Sequence, residues 1–167
     1  MVRFTPEDGR RLFDLMLTAN PGDHFHQLGM ALEDVGATTC RISLPWAEHL
    51  IGNPDTGVVH GGVLTTMLDT CCGFAAVMAA GLGELCPTMD LRIDYMGAAT
   101  PGEPLIAEGE AYRVTQHVVF TRGTVYQSDP NRPVAHCVGN FSRLDPALAG
   151  PMAQQIAALL GKTEAGA

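Results

Sequence analysis

The feature that most constrains this chain is a long apolar segment, residues 63–82, which directly follows a pair of glycines. Its apolar side chains spread nearly around a helix, so their spacing predicts a helix that is buried on most of its faces. Gly81 and Gly83 are placed to end this helix, because glycine readily adopts the conformation found just beyond a helix C-terminus. Asp69 interrupts the segment and makes it a poor membrane span. Other elements of the chain therefore have to cover this helix.

After the helix, the period of the apolar residues changes from about 3.6 to 2, which predicts strands. The alternating runs are 91–96, 103–114, 118–127 and 134–144, and a fifth run, 35–44, precedes the helix. Residues 45–57 are expected to form a loop with its turn at 53–57. Because the connections between successive runs are short, we expect antiparallel neighbours. The expected architecture is α+β, with a five-stranded antiparallel sheet wrapped around a long central helix.

One further helix is expected at each end of the chain. A threonine and a proline favour the start of an N-terminal helix, 5–19, and a C-terminal helix and tail are expected at 150–167. A chain of 167 residues has the length of one domain, so we expect a single domain over 1–167 with its core at 35–144. Several strand positions that would face away from the helix are apolar, which favours an oligomer.

Charge and cysteine content indicate which partners and compartment to expect. Ten Lys+Arg against eighteen Asp+Glu give a formal net charge of −8, and no basic stripe is present. Nucleic-acid binding is therefore disfavoured, because an acidic chain repels phosphates. The five cysteines form no CxxC pair, and no signal peptide is visible. We expect buried thiols in a cytoplasmic protein that binds neither nucleic acid nor membrane.

Metal ligands are sparse in the sequence. His24 and His26 are the only closely spaced pair among the six histidines. One such pair is a weak signal for a metal site, since no other ligand stands at a matching spacing. We therefore expect neither a metal nor a cofactor.

Two features of the central helix carry candidate chemistry. An ionised and unpaired Asp69 in an apolar helix would cost several kcal/mol, so it needs either a local partner, such as a nearby threonine, or a function. The glycines Gly61 and Gly62 expose backbone amides at the positive end of the helix, where a negative oxygen or a polarised carbonyl can bind. A tight turn that requires glycine explains the same pair without any function. Both interpretations stay open at this point.

The spacing between His60 and Asp69 limits how the two can cooperate. Nine residues of ideal helix rise about 13.5 Å, so the two side chains cannot touch within one chain. If both serve one site, a second copy of the chain has to supply one of them. His60 itself is either a locally bonded residue at the start of the helix or a catalytic base.

Residues 53–69, with His-Gly-Gly at 60–62, are followed by Thr-Met-Asp-Leu-Arg-Ile-Asp-Tyr-Met at 88–96. Together these stretches resemble the hotdog-fold acyl-CoA thioesterases of the PaaI-like (phenylacetate-pathway) type, and the resemblance covers about 35–144. It implies a hotdog fold and hydrolysis of acyl-CoA thioesters without metal or cofactor. It also implies a homodimer or homotetramer (a dimer of dimers) with active sites shared between subunits.

The resemblance also implies a role for each matched residue. Asp69 matches the catalytic carboxylate, which acts as nucleophile or as general base for water. Gly61 matches the residue whose amide polarises the thioester carbonyl. Asn53 matches a side chain that holds the water or the substrate, with His60 flanking it, and Thr88 matches a hydroxyl that assists the carboxylate. In such proteins the asparagine and glycine come from one subunit and the carboxylate from the other.

The sequence departs from the family pattern in two ways. One extra residue lies between Asn53 and His60, and residues 97–100 are Gly-Ala-Ala-Thr where many relatives carry a basic residue that binds the phosphates of CoA. Arginines elsewhere are candidate replacements. The candidate substrate-binding residues are Gly62, Thr70, Phe74, Arg92, Arg113 and Arg122. Two other functions stay open: a hotdog-fold enoyl-CoA hydratase or dehydratase, and a non-catalytic acyl-CoA-binding module.

Overall fold

The structure is a computed structural model that describes residues 5–19, 22, 24–81, 84–144 and 158. A short 3₁₀ helix spans Glu48–Leu50. The elements are α1 (Pro6–Ala19), α2 (His24–Leu28), β1 (Ala31–Val35), β2 (Thr39–Leu44), β3 (Ile51–Asn53), β4 (Val58–Val59), α3 (Gly61–Ala80), β5 (Thr88–Tyr95), β6 (Leu105–Val114), β7 (Val118–Tyr126) and β8 (Ala135–Ser142). Apart from residue 158, the C-terminal helix and tail predicted at 150–167 lie outside the described residues.

Six of the strands form one antiparallel sheet in the order β1-β2-β6-β7-β8-β5. Helix α3 packs on one face of this sheet, where small residues allow a close approach. A Cβ added at Gly109 would lie 3.0 Å from backbone atoms of Cys71 and Cys72, and one at Gly123 would lie 2.8 Å from the Cys72 sulfur. The predicted α+β architecture, an antiparallel sheet around a long central helix, is confirmed.

The predicted number of strands is wrong, because the described sheet has six strands and not five. The run predicted as one strand at 35–44 is the end of β1, a turn at 36–38, and β2. Only Val35 of β1 is buried, and β1 pairs with β2 alone. Because few side chains of this edge strand pack against the core, its sequence lacks the alternation by which strands are recognised.

Two expectations about connections are also corrected. Strand β5 does not pair with β6, which follows it in sequence, but lies at the edge of the sheet beside β8. The linking residues 96–104 have to pass β8 and β7, about 14 Å at the usual strand spacing, and nine residues reach that far. The region 45–57, expected to be a loop, contains β3, which pairs with β4 in a small hairpin around the predicted turn.

The central helix is covered on most but not all sides. Eleven of its twenty residues are buried, whereas Thr65, Thr66, Asp69, Thr70 and Gly73 are half-buried along one stripe. By length and composition α3 also qualifies as a membrane span, and 61% of that apolar window is buried within this fold. The stripe is the polar face on which the candidate site lies.

Candidate active site

The N-terminus of α3 carries one backbone amide that has no partner among the described residues. The side chain of His60 accepts a hydrogen bond from the Gly62 amide (Nδ1 to N, 2.9 Å), and the Val63 amide donates to the His60 carbonyl at 2.9 Å. The first amides of a helix have no intrahelical acceptor, and at Gly61 no side chain replaces one. Gly61 therefore offers an N–H donor at the positive end of a twenty-residue helix, where an anionic oxygen is stabilised.

The local hairpin explains why the chain turns into α3 at this point. The His60 amide donates to the Leu50 carbonyl at 2.8 Å, so the residue before the helix is tied to the segment that precedes β3. Gly52 lies directly against His60, because a Cβ added at Gly52 would be only 2.6 Å from the His60 Cα. This close packing leaves His60 with φ −63° and ψ 134°, an extended conformation that is typical of a helix N-cap.

The bond to Gly62 determines what the His60 imidazole can do. A ring nitrogen that accepts a hydrogen bond carries no proton, so the neutral ring holds its proton on Nε2. The exposed His60 thus presents an N–H donor through Nε2. Donation to a substrate oxygen or to a leaving thiolate fits this geometry better than the role of a catalytic base.

Asn53 lies at the end of β3 and begins the predicted turn. Its Oδ1 accepts from the Asp55 amide at 3.0 Å, and its carbonyl accepts from the Gly57 amide at 2.9 Å. Within the described residues the side-chain amide nitrogen makes no hydrogen bond. Asn53 therefore stabilises its own turn while its Nδ2 group stays available to a ligand.

Asp69 is half-buried in the middle of α3, and a threonine from the sheet holds it. The Thr88 hydroxyl donates to Asp69 Oδ1 at 2.8 Å, whereas Oδ2 makes no hydrogen bond within the described part of the chain. The threonines on the helix itself serve the backbone instead: Thr66 Oγ1 donates to the Gly62 carbonyl at 3.0 Å. The partner of Asp69 is thus a strand residue, and one carboxylate oxygen is free for water or substrate.

One chain does not bring the Gly61 amide and the Asp69 carboxylate together. Eight residues of continuous helix separate them, a rise of about 12 Å. A donor to a carbonyl oxygen and a group that attacks the carbonyl carbon must both lie about 3 Å from their targets. Each chain therefore holds two half-sites, one at the first residue of α3 and one about two helical turns further along it.

Tyr95, the last residue of β5, is a site residue that sequence reasoning missed. Its hydroxyl donates to the Gly61 carbonyl at 3.2 Å and lies 2.8 Å from Thr65 Oγ1. In the sequence Tyr95 is one apolar position among several in an alternating strand. The signal that could have found it is the direction of β5, which returns along α3 so that its two ends meet two different turns of the helix.

The arginines among the candidate substrate-binding residues do not gather around these half-sites. Arg92 pairs with Asp94 at 2.9 Å, and Arg122 pairs with Glu110 at 2.7 Å. Arg92 and Arg122 flank the same β8 residue on the face of the sheet opposite α3. Arg113 is exposed and, within the described chain, has no ion-pair partner. Within the described part of a single chain, the arginines named as candidate phosphate-binding residues thus form no common patch with the half-sites.

The three other substrate-binding candidates lie on α3 itself. Thr70 is half-buried beside Asp69 on the stripe, and Gly62 is exposed at the start of the helix. Phe74 is only 6% exposed, and its ring packs against Phe13 of α1 with centroids 5.1 Å apart. Phe74 therefore contributes to the core, while Thr70 and Gly62 border the half-sites.

All five cysteines are free and buried. Burial raises the pKa of the Cys71 thiol, which donates to the Cys40 carbonyl at 3.0 Å, well above its ordinary value. The Cys72 thiol, 3.6 Å from the Cys137 sulfur, also has a raised pKa because of that contact and of burial. These thiols are not activated nucleophiles. No group of three or more potential metal ligands occurs in the described part of the chain.

Sequence comparison connects this arrangement with known proteins. A sequence model of the thioesterase superfamily matches residues 56–134. A protein of Halobacterium salinarum that carries an esterase designation is 33% identical over 90 residues, which are 52% of this chain and 58% of the relative. The chain spans about three fifths of the length of the curated relatives that it matches.

Structural comparison finds the same fold in solved structures. The crystal structure of a Pseudomonas aeruginosa protein has a TM-score of 0.68 at 44% sequence identity and covers 83% of this chain and 98% of its own. The PaaI protein of the E. coli phenylacetic acid degradation operon has a TM-score of 0.68 at 15% identity, covering 82% of this chain and 96% of PaaI.

Proposed function

Because the chain belongs to the thioesterase superfamily, whose hotdog fold it adopts, we propose that it hydrolyses acyl-CoA thioesters to a free carboxylic acid and CoA, as a PaaI-like enzyme. The observation that carries this proposal is one pair of groups on α3: the unpartnered Gly61 amide and the Asp69 carboxylate held by Thr88. A thioester is already an activated acyl group, so a donor to its carbonyl oxygen and a carboxylate near the attacking group are sufficient.

The mechanism assigns one task to each group. The Gly61 amide binds the thioester carbonyl oxygen and stabilises the negative charge that develops there, a contribution of about 10²–10³ in rate. Asp69 either attacks the carbonyl carbon, giving an anhydride that water then hydrolyses, or takes a proton from the attacking water. In both routes the C–S bond breaks, and CoA leaves as the thiol after gaining a proton. His60 and Asn53 are donors beside the carbonyl.

A second copy of the chain supplies the missing half of each site in this proposal. Strand β5 is an edge strand, and it carries large apolar side chains that are 62% exposed at Met89 and 56% at Tyr95, with Met96 just beyond it at 61%. Such an edge is suited to pair with another strand. We propose that β5 pairs with its own copy, in antiparallel direction, across a two-fold axis.

This pairing brings the two half-sites together. The first residue of β5, Thr88, bonds Asp69, and the last, Tyr95, bonds Gly61. Antiparallel pairing puts the beginning of one β5 next to the end of the other, so Asp69 of one copy faces Gly61 of the other. In such a dimer the distance of about 12 Å between Gly61 and Asp69 of one helix does not prevent a common site, because each site takes the two groups from different chains.

The proposal extends to the assembly, the location and the partners of this protein. Val138 and Tyr112 are exposed on the sheet face opposite α3, which supports the association of two dimers into a homotetramer. The five free cysteines support a cytoplasmic location, and the net charge of −8 supports the absence of nucleic acid as a partner. Since Arg92 and Arg122 are neutralised by carboxylates, we propose that the phosphates of CoA are bound weakly.

The test is a panel of short, medium, long and aryl acyl-CoAs, with release of the free thiol as the measurement. Asp69→Ala should abolish turnover of every substrate that the wild type cleaves. Asp69→Asn can still orient water but cannot take its proton, so it should also be nearly inactive. Hydration of an enoyl-CoA without thiol release, or saturable binding without turnover of any thioester, would overturn the proposal and support one of the two other functions.

A further inference from the structure

We infer that Tyr95 is a positioning residue that sets the orientation of the peptide groups at the start of α3. This inference rests on the proposed function, because the Gly61–Gly62 peptide that it orients adjoins the Gly61 amide and bonds the His60 ring, the groups proposed to lie at the thioester carbonyl. In this role Tyr95 acts on the Gly61–Gly62 peptide and not on the reacting atoms. It acts through Gly61, together with the hydroxyl of Thr65.

Three oxygen atoms form a closed cluster at this point. Tyr95 Oη donates to the Gly61 carbonyl at 3.2 Å, Thr65 Oγ1 lies 2.8 Å from Tyr95 Oη, and Thr65 Oγ1 donates to the same carbonyl at 3.3 Å. The two hydroxyl protons can make two of these three contacts hydrogen bonds at a time, and in every such arrangement at least one hydroxyl donates to the Gly61 carbonyl. A carbonyl in the first turn of a helix without such bonds would be fixed only by the helix itself.

The peptide group between Gly61 and Gly62 links this cluster to the His60 ring. The Gly61 carbonyl and the Gly62 amide belong to one planar peptide group, and that amide donates to His60 Nδ1 at 2.9 Å. The chain therefore runs from the Tyr95 hydroxyl through this peptide to the imidazole. Hydrogen bonds in such a chain polarise one another, so loss of the first weakens the last.

The ring of Tyr95 also explains why residue 61 is a glycine. Gly61 does not adopt a positive φ, so backbone freedom is not the reason. A Cβ at this position would lie 3.2 Å from Tyr95 Cε1 and 3.4 Å from Cζ, closer than an ordinary contact. Glycine at 61 allows the tyrosine ring to lie against the backbone, although the ring itself stays 56% exposed.

An edge strand thus positions both half-sites through its two terminal side chains. Thr88 holds the carboxylate of Asp69, and Tyr95 holds the peptide next to the Gly61 amide. Any event that orders or shifts β5, such as pairing with a second copy, changes the geometry of both at once. Activity should therefore depend on the register of β5 and not only on the presence of the two reacting groups.

Tyr95→Phe tests the inference, because it removes the hydroxyl and keeps the ring. We expect kcat to fall about fivefold to tenfold with KM changed less than about twofold, since the lost bond orients a donor rather than binding substrate. Thr65→Val should give a similar fall, and Thr65→Ser should restore most of it. The double variant should be less than additive, because both hydroxyls act on one carbonyl.

Tyr126→Phe is the matched control, since it removes a tyrosine hydroxyl that donates to Glu108 Oε1 at 2.8 Å on the opposite face of the sheet. It should leave kcat unchanged. A Tyr95→Phe protein of wild-type oligomeric state whose kcat stays within about twofold of wild type would overturn the inference.

A second readout needs no substrate. Tyr95→Phe should raise the hydrogen-exchange rate of the Gly62 amide about 1.5-fold to twofold by weakening its bond to His60, and an unchanged rate would overturn the inference. A wild-type protein that cleaves no thioester refutes the proposed function alone, since the exchange experiment still decides the role of Tyr95.

Discussion

The hydroxyl of Thr88 donates a 2.8 Å hydrogen bond to Oδ1 of Asp69, and this bond joins the edge strand β5 to the middle of α3. It fixes the rotamer of a carboxylate that is only half-buried and leaves Oδ2 directed elsewhere. Without this bond, the Asp69 side chain on the half-buried stripe of α3 would sample several rotamers. The bond therefore provides the preorganisation that a nucleophile or general base requires.

Removal of this bond should reduce turnover more than stability. In Thr88→Val the side chain keeps its shape but loses the donor, and we expect kcat to fall about tenfold, as for a hydrogen bond to a charged group. Thr88→Ser retains the hydroxyl and is the matched control. Steady-state kinetics on one acyl-CoA substrate, with melting temperatures alongside, measure the effect. Equal kcat values for the valine and serine variants would contradict the assigned role of Thr88.

The Gly61 amide can be deleted by a single substitution. Gly61 is the first residue of α3, where proline is tolerated, and His60 already has the extended conformation that precedes proline. Gly61→Pro removes the N–H and should lower kcat about 10²–10³-fold. Gly61→Ala introduces the same Cβ contact with Tyr95 but keeps the amide, so its loss should be much smaller. If both variants lose activity equally, crowding rather than the amide explains the glycine.

The close contact between α3 and the sheet predicts a stability effect. A Cβ at Gly109 would lie 3.0 Å from the backbone of α3, which cannot yield as a flexible side chain can. Gly109→Ala should therefore cost about 1–3 kcal/mol of unfolding free energy. Gly97→Ala is the control, since nothing lies within 4 Å of the added methyl group. Denaturant unfolding compares the two, and equal stabilities would show that α3 shifts freely on the sheet.

A part-buried ion pair ties the segment after α3 to the end of β8. Arg143 Nε donates to Glu84 Oε2 at 2.6 Å, and the side chains are 13% and 10% exposed. Arg143→Met leaves the part-buried Glu84 without its partner and should cost about 1.5–3 kcal/mol. The double variant Glu84→Gln/Arg143→Met should regain much of that loss. Chemical denaturation of the three proteins provides the test, and a double variant no more stable than Arg143→Met would contradict it.

The buried thiols predict an alkaline loss of stability. Burial raises the pKa of Cys86 from 9.0 to about 12. Between these values the unfolded chain has lost this proton and the folded chain has kept it, so stability falls as the pH rises from 9 towards 12. Thermal unfolding across this range, compared with Cys86→Ala, measures the contribution. A variant with the same pH dependence as the wild type would assign the loss to other groups.

An element of this fold is predictable from the sequence where its packing against the core imposes a periodic pattern of apolar residues. Helix α3 and strands β5 to β8 were predictable because one face of each packs on the core and imposes its period on the sequence. Strand β1 was not, because Val35 is its only buried residue. The resemblance named Thr88 and Asp69, but the contact of Tyr95 with Gly61 depends on the path of β5 along α3, which no local pattern encodes.

The arginines illustrate a second limit of sequence reasoning. Arg122 and Glu110 are twelve positions apart, and they become neighbours only because β6 and β7 pair in one particular register. A shift of β7 by one residue against β6 would turn Arg122 to the other face of the sheet, away from Glu110. Charge counts therefore predict that carboxylates outnumber arginines, but not which arginines stay free to bind a phosphate.

The central claim is that each active site uses Gly61 of one chain and Asp69 of another. Its most direct test is a heterodimer of one Gly61→Pro chain and one Asp69→Asn chain, isolated with two different affinity tags. Shared sites give this heterodimer one wholly intact site, so it should regain about half of the wild-type activity per dimer although both parent homodimers are nearly inactive. A heterodimer as inactive as its parents would contradict the claim.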